Sequence, residues 1–381
     1  MPVSCACDSD AGWRVDSLRG RPPSPIAMFR VIAVIVVCLL LAGFSSWPGM
    51  AQTLASKLVA PPGASPLLQP ARVDAAFARL PHRSGFVDTS AGVPVFWRAL
   101  DPGDYGMAYA WTRPADDLHG VEFDLDFHAP SAPSPAPRGT VVLLHGWMMD
   151  GGSLLPWSLA LAEAGYRTIT LDLRNHGRSG HGPAGYGTRE AGDVVDAVAA
   201  LRERGEIAGP LHVFGVSYGA ATALFAAADP RLQAERIVAL ESFDNAGAAI
   251  RDMVPHMLAE DGGNWHAQIT RTWLRWRIDA AVLDAAIVSA GDMLSLPLDG
   301  VDVGAALARA PGCVLLVHGS EDRHVPVTHG RALAAALPDA RYLELAGEDH
   351  LSLPMRLDRL APTVVDWFGA SACPRSALAA H

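Results

Sequence analysis

The chain of 381 residues carries Gly215-Val216-Ser217-Tyr218-Gly219 between an apolar run that starts at Leu211 and an alanine-rich run that starts at Tyr218. Strand, tight turn and helix are the expected order, and glycines at 215 and 219 let the backbone fold back closely. The middle residue of such a turn takes a strained conformation that exposes its side chain at a helix N-terminus. Ser217 is therefore the candidate nucleophile. A serine hydroxyl is a weak nucleophile near neutral pH, so it needs a base, and the base needs a carboxylate to orient it.

Two later apolar runs end in loops that hold such groups. Residues 314–317 lead into His318-Gly319-Ser320-Glu321-Asp322-Arg323-His324, and residues 342–345 lead into Ala346-Gly347-Glu348-Asp349-His350. His350 is the candidate base and Asp322 the candidate acid. Glu321, beside Asp322, and Glu241, which ends Val238-Ala239-Leu240-Glu241, are its rivals. The developing negative charge of acyl transfer needs two backbone N–H donors. Tyr218 supplies one, and Trp147, after residues 141–144 and His145-Gly146, supplies the other. His318, Asp322, His324 and His329 offer zinc-type ligands, but their histidines share no spacing that aims them at one point. The expected chemistry uses no metal and no organic cofactor.

The elements that must position these groups begin at about residue 140. Short, continuously apolar strands (140–144, 168–173, 211–216, 237–240, 313–317, 342–345) alternate with amphipathic helices (154–164, 189–204, 218–228, 328–337, about 351–368). That alternation predicts an α/β fold, a mostly parallel sheet with helices on both faces. Residues 121–128 alternate apolar and polar, which predicts a half-buried, antiparallel strand. Aromatic residues between 93 and 112 also suggest β structure, broken at Asp101-Pro102-Gly103. The pattern is interrupted at about 244–310 by an insert that reads as helical. It carries Trp265, Trp273 and Trp276, which fall within about 80° of one another on a helix. They are candidates either to line an apolar substrate pocket under a cap or to attach the insert to the body.

Net charge is −10 with no basic cluster, so no nucleic-acid partner is expected. Lys57 is the single lysine, which argues against Ser–Lys, Schiff-base and P-loop chemistry. At the N-terminus, residues 1–27 are polar and rich in Pro and Ser. Met28-Phe29-Arg30 then opens an apolar run, 31–44, followed by Gly49-Met50-Ala51. This reads as an extension ahead of a start at Met28, then a secretory signal peptide, 28–51, cleaved after Ala51 into an exported protein. The alternative is a membrane anchor over residues 29–47. Residues 52–104 read as an arm with one short helix, 105–371 as the main domain, and 372–381 as a tail. Cys313 and Cys373 remain after the leader, either paired or as two thiols.

Taken together, His145-Gly146, Asp172-Leu173-Arg174-Asn175-His176-Gly177-Arg178-Ser179, Gly215-x-Ser217-x-Gly219, Gly319-x-x-Asp322 and His350 resemble the α/β-hydrolase superfamily, with its order of serine, acid and histidine. The resemblance covers roughly residues 123–368. It is strongest to the serine aminopeptidase and monoacylglycerol-lipase-like branch and to bacterial esterases and acyl-thioesterases. It implies hydrolysis of a small acyl substrate, an ester first of all, through an acyl-enzyme. An exported peptidase or amidase, an acyl-thioesterase and a noncatalytic module of the same fold are the alternatives. It also implies that the 172–179 loop is structural, so His176 is not a base candidate.

Overall fold

The computed structural model describes residues 47–60, 70–113, 122–259, 265–310 and 312–373. The apolar run 31–44 and the tail beyond Cys373 lie outside them. Eight strands form the main sheet: β1 (His82–Asp88), β2 (Pro94–Leu100), β5 (Thr140–Leu144), β6 (Arg167–Leu171), β7 (Leu211–Val216), β8 (Arg236–Leu240), β9 (Cys313–Gly319) and β10 (Arg341–Leu345). Their spatial order is β1-β2-β6-β5-β7-β8-β9-β10. From β6 to β10 all pairs are parallel, while β1–β2 and β2–β6 are antiparallel. A separate antiparallel pair, β3 (Ala108–Thr112) and β4 (Glu122–Asp126), contains the alternating segment.

Each central strand is apolar on both faces because both are covered. In β5, Val142 and Leu144 join one core cluster while Val141 and Leu143 join the other, and β7, β8 and β9 alternate in the same way. Helices α4 (Thr188–Glu203) and α5 (Tyr218–Ala227) cover the first face. Helices α3 (Leu155–Glu163) and α11 (Leu357–Gly369) cover the second. Helix α10 (Val327–Ala336) connects β9 to β10. Cys313 and Cys373 form a disulfide with a Cα–Cα distance of 5.5 Å, fastening the segment after α11 to the start of β9.

One N-terminal expectation changes. The stretch 52–104 is not only an arm, because it supplies β1 and β2 of the central sheet. Val95, Trp97 and Ala99 of β2 pack into the same cluster as Ile169 and Leu171 of β6. The expected short helix is α2 (Pro70–Phe77). A further helix, α1 (Trp47–Leu58), spans the cleavage point expected after Ala51, and Ala51 and Ala55 are buried in it. No helix among the described residues is long and apolar enough to cross a membrane.

The insert between β8 and β9 is helical: α6 (Ala246–Ala259), α7 (Trp265–Arg277), α8 (Ala280–Leu294) and the short α9 (Val303–Leu307). Its entry and exit lie side by side. Ala246 N–H donates to Val301 O at 3.1 Å and Val303 N–H to Asp244 O at 2.8 Å. Helix α1 packs on α8, where Ser289 Oγ meets Gln52 Oε1 at 2.9 Å.

Candidate active site

Three strand ends supply three groups. Ser217 follows β7 directly and is the N-cap of α5, with φ 52° and ψ −113°. Positive φ is costly for a residue that carries a β-carbon. Its neighbours hold the turn closed: Ser217 N–H donates to Leu240 O at 2.8 Å. A β-carbon at Gly215 would lie 2.4 Å from Gly219 O, and one at Gly219 would lie 2.2 Å from Leu144 O. Only glycine fits at either place.

The Ser217 hydroxyl donates to His350 Nε2 at 3.0 Å, and His350 Nδ1–H donates to Asp322 Oδ2 at 2.7 Å. Asp322 comes from the turn after β9, where its Oδ1 accepts Val325 N–H at 2.8 Å. His318 Nε2–H donates to Val325 O at 2.7 Å and stands 3.4 Å from Asp322 Oδ2. Burial opposes the Asp322 charge, yet the charge of His350 and the bonds from His318 and His350 outweigh it. The carboxyl is held well below the usual carboxylate range. For His350, burial works against the imidazolium and Asp322 works for it, and the net effect raises its pKa.

The loop after β10 is pinned from several sides. Asp349 accepts the N–H groups of Ser352 at 2.9 Å and Leu351 at 3.1 Å, and Arg113 reaches it at 2.8 Å. Buried Glu348 accepts Ser352 Oγ–H at 2.9 Å and pairs with Arg356. The Arg113 bridge carried no sequence signal, since 236 residues separate its partners.

Of the rival acids, the Glu321 side chain is exposed. Glu241 is fully buried with φ 54°, and its Oε2 is 3.7 Å from His350 Nδ1, beyond hydrogen-bond range. The zinc-type alternative does not assemble at His318, His324 and His329. His329 lies between Asp244 and Asp252, with Nε2 3.0 Å from Asp252 Oδ2. His324 lies between His256 of α6, which meets it edge-on at 4.6 Å, and His350, tilted at 5.4 Å between ring centroids. Among the described residues, the trio whose ligand atoms all fall within 4.8 Å is Glu241, Asp322 and His350, which includes the candidate acid and base.

Backbone from both sides flanks Ser217. A β-carbon on Gly146 would be 3.7 Å from Ser217 Cβ, so the strand end leading to Trp147 passes against the serine. Tyr218 is the first residue of α5. The Trp147 ring packs on Tyr218 at 4.9 Å and stacks on Tyr186 at 5.6 Å, which places it in an aromatic cluster beside the serine. The 172–179 loop is structural. Asp172 accepts Gly151 and Arg178 N–H groups, both at 2.8 Å. His176 is buried, and its pKa is pushed down to about 3 by burial and by His145.

The tryptophans of α7 do not share one role. Trp276 is 78% exposed. Trp273 is half-buried, with Arg277 5.8 Å from its ring centroid. The Trp265 side chain lies outside the described residues. A shared helical face holds residues together only if something packs along its whole length. The partner α7 packs on is α6.

Comparison with known proteins fits this geometry. Residues 141–363 match the model of the alpha/beta hydrolase family. The chain is 30% identical over 244 residues to a pimeloyl-[acyl-carrier protein] methyl ester esterase of Xanthomonas campestris, covering 58% of this chain and 91% of that protein. It is 31% identical over 93 residues to the uncharacterized protein YqkD of Bacillus subtilis, spanning 24% of this chain and 30% of the relative. In fold it is similar to the Pyrococcus furiosus esterase Pf2001, with a TM-score of 0.55, 16% identity, and coverage of 81% of this chain and 98% of that one. The chain belongs to the alpha/beta hydrolase family.

Proposed function

We propose that this protein is a serine hydrolase that cleaves carboxylic esters through an acyl-enzyme on Ser217. The observation that carries the reading is the line of hydrogen bonds from Ser217 Oγ through His350 to Asp322, at 3.0 and 2.7 Å. Ser217 Oγ attacks the ester carbonyl carbon as its proton passes to His350 Nε2. Asp322 orients the ring and balances the imidazolium. The carbonyl oxygen becomes an oxyanion held by the N–H groups of Trp147 and Tyr218. The C–O bond to the alcohol breaks, and His350 returns the proton to the leaving oxygen. Water, deprotonated by His350, then attacks the acyl carbon, and the carboxylic acid departs as Ser217 regains its proton.

An ester substrate is supported by the Xanthomonas relative, whose name makes it an esterase of a methyl ester. An apolar acyl pocket under the helical insert is part of the proposal. Export, through the leader 28–51 or with residues 29–47 kept as an anchor, is part of the proposal. The Cys313–Cys373 disulfide supports an oxidising compartment.

The test is a substrate panel on the full chain: p-nitrophenyl esters of graded length, acyl-thioesters and aminoacyl-arylamides, with fluorophosphonate labelling alongside. Ester turnover exceeding the rest, with the probe on Ser217, is expected. Arylamides turned over faster than esters would shift the reading to a peptidase or amidase. Absence of both turnover and labelling would leave a noncatalytic module.

A further inference from the structure

The site holds one carboxyl more than the reaction needs. Glu241 directly follows β8, the strand between those that carry Ser217 and Asp322. Its side chain is 0% exposed, and neither carboxyl oxygen finds a hydrogen-bond partner among the described residues. Buried polar groups without partners are rare, because each forfeits its hydration without replacement. Its backbone is held in place: Glu241 N–H donates to Val317 O at 2.8 Å, and φ is 54°. An apolar side chain of similar volume would fill the position without that penalty, so packing alone does not account for a carboxyl here.

Its orientation is informative. Oε2 stands 3.7 Å from His350 Nδ1, the atom that Asp322 Oδ2 binds at 2.7 Å. Gly319 closes the other side, where a β-carbon would come within 3.2 Å of Glu241 Oε1. Two carboxyls from two adjacent strand ends therefore converge on one imidazole nitrogen. We infer that Glu241 is a reserve positioning residue, a second carboxyl able to take over His350 Nδ1 when Asp322 no longer holds it. This rests on the ester-hydrolase reading for its kinetic consequence, though not for its geometry.

Burial first, then the charges of Asp322, Asp349 and Glu348, push the Glu241 carboxyl well above the usual carboxylate range. Two adjacent carboxyls resist a shared charge, so the ionised Asp322 disfavours the charged form of Glu241. Removing Asp322 removes one of those charges and opens space for the small approach Glu241 must make. Glu241 then gives its proton to solvent, and His350 Nδ1–H donates to the new carboxylate.

The test compares Asp322→Ala with the double variant Asp322→Ala/Glu241→Gln, each checked for folding by thermal melting. With Glu241 present, ester hydrolysis should climb with pH as that residue ionises. At the alkaline end of the profile it should exceed the double variant roughly 10-fold or more, because one group then replaces another in the same unit. Equal rates at every pH would overturn the inference. If Asp322→Ala does not fold, Asp322→Asn is the second background. In either background, ¹⁵N titration of His350 gives a readout independent of turnover. The His350 pKa is expected to be higher in the single variant, which keeps Glu241, than in the double variant. No difference between the two overturns the inference. Absence of turnover in the unmodified protein would instead count against the ester reading, while the titration still decides the role of Glu241.

Discussion

At the carboxyl ends of β7, β9 and β10 a parallel backbone ladder fixes where each side chain starts, while in the insert from α6 to α9 helices are held mainly by side chains. The consequences differ visibly. Asp322 and Glu241 are buried, and Ser217 and His350 meet at 3.0 Å. On the insert, Met257, Ile269, Trp276, Val288 and Met293 are 40–78% exposed. Among the described residues its polar attachments to the body include His329. It sits between Asp244, at the root of the insert, and Asp252, on α6. A reaction common to many substrates can rest on the ladder, and a choice among substrates can be revised in the insert without disturbing it.

Four perturbations sharpen that contrast. The largest effect is expected at the rim: Ser217→Ala should reduce ester hydrolysis by about 10⁴-fold or more with little change in melting temperature, measured by steady-state kinetics and calorimetry. Next is pH. His350 must be neutral to accept a proton, and Asp322 raises its pKa. The acid limb of kcat/KM should therefore have its midpoint above the ordinary histidine value of about 6.5, and Asp322→Asn should move it down. A midpoint below that value would contradict the pairing.

A smaller effect is expected where the insert is attached. Burial opposes the His329 charge, but bonds and charges from Asp244 and Asp252 outweigh it, so its pKa is raised. A raised pKa contributes stability that is fully present below the unfolded value of about 6.5 and is lost as pH rises through the folded value. His329→Gln should thus lower the melting temperature more at pH 5.5 than at pH 9. The smallest effect is at the outer face. Trp276→Ala should change stability by no more than about 0.5 kcal/mol, by urea unfolding. A loss of catalytic rate there would show that the insert is less independent of the rim than its packing indicates.

Much of the rim was legible because its constraints are local. Gly215 and Gly219 stand where any β-carbon would strike backbone, and the apolar strands had boundaries within a residue or two of those observed, as at β5 and β7. What could not be read depends on distance across the fold. Asp322 and Glu241 both follow parallel strands, and their approach to Nδ1, 2.7 against 3.7 Å, separates them. The β structure expected between 93 and 112 is met by β2 and β3, but the place of β2 in the central sheet rests on its long-range pairing with β6, and the edge strand β1 was obscured because its sequence mixes aromatic and polar residues. Helix α1 was hidden by its overlap with a leader-like pattern, and Trp276 by the assumption that a helical face has a partner along its length.

The Cys313–Cys373 bond has a topological result for the two assisting groups. Both Asp322 and His350 lie inside the covalent ring it closes, whose ends are 60 residues apart, and Ser217 lies outside it. An oxidised but unfolded chain therefore keeps acid and base tethered in one loop. On a chain-entropy account, closing that loop disfavours the unfolded state by about 4 kcal/mol. Reduction should release this restraint from the stretch that carries two of the three groups, Asp322 and His350, and the loss should appear as a lower melting temperature of the whole cooperative fold, the segment of Ser217 included.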